Sequence, residues 1–127
     1  MYALIMTIGL ATITCLAGEF LPKAKALQIY AMLLTGVASV YVGFAVMEGR
    51  RDRITLELLA ALGFATLALW SLWKWPLLLV AGFALHAAWN LVHHPGNMGA
   101  RVKPWYAFAA FVYDSSIGLY IYLRLLH

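Results

Sequence analysis

Only one cysteine, Cys15, occurs in 127 residues. That excludes a disulfide within the chain and any zinc site built from cysteine pairs. Charge is scarce too: 11% of the residues are Asp, Glu, Lys or Arg, and only five residues are acidic. The nine Lys and Arg lie in short groups between apolar runs. They read as membrane-flanking charges and not as the continuous basic face that nucleic acid needs. No basic segment precedes the first apolar run, so a retained first helix is expected there rather than a cleaved signal peptide. Internal repeats, low-complexity tracts and linkers are lacking as well, which leaves one domain over 1–127.

Apolar residues fill the space left by charge. They make up 65% of the chain, and the mean hydropathy is +0.84. A soluble domain of this size has too much surface for its volume to hide so many apolar side chains, so lipid must be the solvent for much of it. The runs predict an all-α membrane bundle of five transmembrane helices, over about 2–20, 27–47, 54–73, 76–93 and 104–126. Glu19, Pro22, Lys23 and Lys25 end the first, with Glu19 expected at the interface. Gly36, Ser39 and Gly43 recur at helical spacing in the second, a small-residue face of the kind that lets helices approach closely in lipid. The short charged link Glu48–Arg53 makes the second and third spans antiparallel neighbours. Trp70, Trp73 and Trp75 around Lys74 form an aromatic belt, and Pro76 suits the first turn of the fourth span.

The polar residues inside these runs are not scattered. His86-Ala-Ala-Trp-Asn90-Leu-Val-His93-His94-Pro95 closes the fourth span and holds three of the four histidines. On a helix His86, Asn90 and His93 fall within about 60° of one another. Five antiparallel spans bring the N-terminus, the 48–53 link and the 94–103 loop to one side. Arg50, Arg51, Arg53, Arg101 and Lys103 lie on that side, against Lys23, Lys25, Lys74 and Arg124 on the other, a slight vote for a cytoplasmic N-terminus. Glu48, Glu57, His93 and His94 belong near the first side. His86 lies about 10 Å deeper than His93, and Asp114 about 15 Å in from Pro104, so the two reach similar depths from opposite chain directions. A carboxylate at that depth needs a partner, a proton or water, and marks a functional candidate.

Two chemistries suit the cluster. In the first, His86, His93, His94, Asp114 and Glu57 ligate zinc or iron, with Asn90, Tyr113 and Glu48 orienting them from behind. Bound metal would activate water, Asp114 or Glu57 would act as base, and the 94–103 loop with Gly96 and Gly99 would serve as a lid. In the second, a metal-free His86–Asp114 pair transfers protons. A purely structural bridge between helices accounts for each residue taken singly.

The pattern His86-x-x-Trp89-x-x-x-His93-His94-Pro95, followed by Trp105-Tyr106 and Tyr113-Asp114, resembles a group of small bacterial multi-pass membrane proteins of undetermined function. The resemblance covers roughly 43–123. It implies a bacterial inner-membrane location and an aspartate where this chain has Asn90, a departure that weighs against residue 90 as a metal ligand. The residue types are also similar to those of alkaline ceramidases, membrane hydrolases that hold zinc through histidines and an aspartate, but only as an analogy of chemistry.

The expectation is therefore a small membrane protein with a His/carboxylate pocket that binds a metal and acts, in hydrolase fashion, on a membrane lipid or other hydrophobic small molecule. The alternatives are a non-enzymatic subunit of a larger membrane complex or homo-oligomer, and a proton or metal-ion transport protein.

Overall fold

The computed structural model describes residues 1–94 and 98–127. Helix accounts for 85% of the described residues, and no strand occurs among them. The helices are α1 (Tyr2–Glu19), α2 (Lys23–Glu48), α3 (Arg51–Trp73), α4 (Leu77–His93) and α5 (Pro104–Tyr120), and α5 runs on into a π-helical turn, Ile121–Leu125. Of these, α1, α2 and α3 are long and apolar enough to cross a membrane, as a membrane protein requires, and α4 is a shorter apolar helix of 17 residues.

Helix is the form in which every backbone polar group in an apolar run finds a partner within its own segment. The hydroxyls follow the same rule. Thr12, Thr14, Thr35, Ser39, Thr66 and Ser116 each donate to the carbonyl four residues earlier, which hides a polar group in an exposed apolar face. The breaks are local. Gly49 ends α2 with φ 77°, its N–H donating back to Ala45 and Val46, a left-handed cap that glycine adopts freely. Pro104 opens α5, where its missing N–H costs nothing.

Helices α2 and α3 pack along each other, as do α4 and α5, and α1 lies along α5. Helix α4 also touches α2 and α3, whereas α1 meets α2 only slightly. One end of the bundle is tied by Arg124 to Glu19, at 3.1 and 3.2 Å. The other is tied by Glu48, which accepts from Arg53 and from the Arg101 N–H. The 48–53 link and the 98–103 segment thus share an end, opposite the α1–α2 link.

Apolar packing is divided between the ends. Tyr30, Leu34, Leu79, Phe83, Ile117 and Ile121 form the larger cluster, and Tyr41, Ala45 and Ala100 a smaller one at the end that holds Glu48. The expected packing face of α2 is corrected here. Gly36, Ser39 and Gly43 are exposed, and nothing lies within 4 Å of a Cβ built on either glycine. The buried stripe of α2 is Tyr30, Leu34, Ala38, Tyr41 and Ala45. The small residues turn outward because larger side chains on that stripe fill the space against α3 and α4 and gain more by burial. Trp70, Trp73 and Trp75 are all exposed, as a belt at a bilayer surface requires.

Candidate functional site

Among the described residues, six buried side chains are polar or charged: Glu57, Ser71, His86, Asn90, His93 and Asp114. Five of them form two linked groups in the half of the bundle that holds the smaller apolar cluster, and both groups are built on α4. The spacing of His86, Asn90 and His93 puts all three on the inward face of that helix.

The first group joins α2, α4 and α5. His86 Nδ1 lies 2.6 Å from Asp114 Oδ2. Asn90 Nδ2 donates to the same oxygen at 2.6 Å, and the Tyr41 hydroxyl donates to Asn90 Oδ1 at 2.7 Å. The tyrosine fixes the amide, the amide fixes the carboxylate, and the carboxylate orients the imidazole. Two atoms of this group, His86 Nε2 and Asp114 Oδ1, are buried without a hydrogen-bond partner among the described residues. Such atoms are rare and call for an explanation, because leaving a buried polar group unpaired costs about 1–3 kcal/mol.

The second group joins α3, α4 and the segment after α4. His93 Nδ1 lies 2.8 Å from the Trp89 carbonyl oxygen. A carbonyl only accepts, so Nδ1 carries a proton. His93 Nε2 meets Glu57 Oε1, which also accepts from the Ala100 N–H at 2.8 Å. Glu57 Oε2 accepts from the Trp89 indole N–H at 3.2 Å. The Ala100 and Trp89 N–H groups and the His93 ring thus converge on one carboxyl group, which leaves both of its oxygens engaged. The Tyr41 ring stacks on His93 with centroids 4.1 Å apart, so Tyr41 touches both groups. Gly99 closes the second one. Its φ is 73°, and a Cβ there would run into Glu57 Oε1 and His93 Nε2.

The sequence-predicted site residues therefore separate. His86 pairs with Asp114, and His93 with Glu57, while His94 is exposed at the end of α4. No group of three or more His, Cys, Asp or Glu comes together in a metal-holding arrangement among the described residues. The seven-residue spacing of His86 and His93 is the reason, since it places them two turns apart. Asn90 holds Asp114 from behind, as an orienting residue does. Tyr113 bonds instead with Thr14 of α1, at 3.0 Å, and Glu48 stays at the bundle end with Arg53 and Arg101. Of the lid glycines, Gly96 lies outside the described residues and Gly99 is the closure of the Glu57 pair.

A cavity of about 410 Å³ adjoins the first group, lined by His86, Asn90, Asp114 and Tyr41 together with apolar side chains of α1, α2 and α5. Thr7 and Leu10 of α1 face Leu33 and Val37 of α2 across it, where those two helices barely touch. The family model for a "family of unknown function (DUF6010)" matches residues 2–125, nearly the whole chain. The chain belongs to the DUF6010 family. No curated protein and no solved structure matches it.

Three members of the site were given no site role from sequence: Tyr41, the Trp89 indole, known there only as part of the motif, and the Ala100 amide. Tyr41 has the one available signal, being seven residues from Leu34 on the same face of α2. A backbone amide beyond a helix end carries no side-chain signature at all.

Proposed function

We propose that the protein crosses the membrane five times and binds a lipid or other hydrophobic small molecule in the cavity beside His86, on which the His86–Asp114 dyad performs acid–base chemistry. The observation that carries this reading is the pair of unpartnered buried atoms, His86 Nε2 and Asp114 Oδ1, in residues that line a cavity of about 410 Å³. A carboxylate on Nδ1 leaves Nε2 as the working nitrogen of an imidazole, able to take a proton from a bound hydroxyl or water and return it. The Tyr41–Asn90 chain holds that carboxylate in place, so the base is oriented before anything binds. Apolar walls select an apolar partner.

Glu57 and His93 have a different role in this reading. Their atoms are already engaged, so they anchor the 98–100 segment to α3 rather than act on a ligand. The zinc or iron reading keeps one supporting observation. A carboxylate–histidine pair with a free second nitrogen is also how a metal-ligating histidine is held. That reading needs further ligands from the bound molecule or from solvent.

The test uses detergent-purified protein incubated with a total membrane-lipid extract, with substrate loss and product gain followed by mass spectrometry. Wild type is expected to convert at least one lipid class, and His86→Gln to do so about 10²–10⁴-fold more slowly. Equal conversion by both proteins, or none by wild type, overturns the acid–base reading. Metal content is measured on the same samples. One zinc or iron per chain that is lost in His86→Gln replaces the acid–base reading with the metal one.

A further inference from the structure

A second cavity, of about 380 Å³, lies at the bundle end where α5 begins, lined by Phe44, Arg101, Val102, Lys103, Trp105 and Tyr106. Trp105 and Tyr106 line the dyad cavity too. The two spaces therefore adjoin at the first turn of α5, one against cations and aromatic rings, the other against apolar walls with the dyad. Asp114 is ten residues beyond Pro104, so the dyad lies about 15 Å along α5 from the helix start that the two cations immediately precede.

Arg101 and Lys103 are, with Lys23, Lys25, Arg51 and Lys74, among the six cations that form no ion pair among the described residues, and what marks them is that both line this cavity. Arg50 is paired with Asp52, Arg53 with Glu48 and Arg124 with Glu19. Neither Arg101 nor Lys103 has an acidic partner among the described residues; Glu48 accepts only the backbone N–H of Arg101. Both side chains are exposed and free to close on an anion. Their place at the end of an apolar helix suits a headgroup layer.

We propose that Arg101 and Lys103 bind the anionic headgroup of a single amphiphile whose apolar chain enters the dyad cavity between α1 and α2. The substrate class is then an oxyanion, phosphate or carboxylate, on an apolar chain, with its reacting group about 15 Å along α5 from the helix start that the two cations precede. This rests on the reading of the dyad cavity as a lipid site. Charge holds one end of the molecule, the apolar walls hold the rest, and together they set which part of the chain reaches His86.

The experiment counts ligands bound to the full chain in detergent by native mass spectrometry, with palmitate, phosphatidylglycerol, phosphatidylcholine and inorganic phosphate as probes. One palmitate or one phosphatidylglycerol per chain is expected, and which of the two binds more tightly identifies the headgroup as carboxylate or phosphate. The Arg101→Gln/Lys103→Gln variant should bind that probe at least about ten-fold more weakly. Arg51→Gln, at the same bundle end but on neither cavity, should bind as wild type does. Val37→Trp, which fills the apolar space, should lose binding with both cations intact. Equal binding of phosphatidylcholine, an equal loss in Arg51→Gln, or inorganic phosphate competing as well as the amphiphile overturns the proposal. His86→Gln separates the two readings. Charge-dependent binding that persists in this variant while lipid conversion is absent even in wild type upholds the headgroup site and removes the dyad chemistry.

Discussion

Asp114 is the residue on which the polar interior depends, because two buried donors end on one of its oxygens. Asp114→Ala leaves the His86 and Asn90 N–H groups without an acceptor, at about 1–3 kcal/mol for each. Tyr41→Phe removes a single neutral hydrogen bond, worth about 1 kcal/mol. Thermal unfolding in detergent should therefore rank Asp114→Ala well below Tyr41→Phe. Equal losses would mean that the carboxylate holds nothing beyond the amide. The meeting of His86 with Asp114 was legible in the chain because depth in an antiparallel pair follows from residue count alone. Tyr41 was not. A tyrosine near the end of a span is ordinary at an interface, and its inward direction depends on how α2 is rotated, which residue counting leaves open.

Rotation is the weak point at the scale of the helix as well. The positions of α1 to α5 follow from the lengths of the apolar runs, and observed and expected ends differ by a few residues. The inward faces do not follow so simply, because a helix that is apolar all round has no polar side to mark its outside. That is why Gly36, Ser39 and Gly43 suggested a packing face and proved to be exposed. The segment after α4 is anchored by specific contacts instead. Gly99→Ala forces a left-handed backbone on a residue with a Cβ, at about 1–2 kcal/mol, and drives that Cβ into the Glu57–His93 pair. Faster hydrogen exchange at the Ala100 amide and a lower unfolding temperature are expected. An unchanged exchange rate would show that this amide does not depend on Glu57.

For the whole molecule the five-span reading makes a direct prediction about sidedness. In a Cys15→Ala background, cysteines placed at Arg51 and Arg101 should react with an impermeant thiol reagent from one face of the membrane. Cysteines at Lys23 and Lys74 should react from the other. Labelling of Lys74→Cys from the same face as Arg101→Cys would mean that α4 does not cross. The long-range ties between α1 and α5 join residues about a hundred positions apart, Thr14 to Tyr113 and Glu19 to Arg124. A ribosome adding roughly 5–20 residues per second finishes α1 some 5–20 s before its partner exists. On the five-span reading α1 has only its slight contact with α2 through that interval, and the cavity beside His86 lacks its α5 wall. The compartment is therefore completed by the docking of a helix made early onto one made late, so a chain stalled before α5 would carry His86 and Asn90 without the carboxylate that organises them.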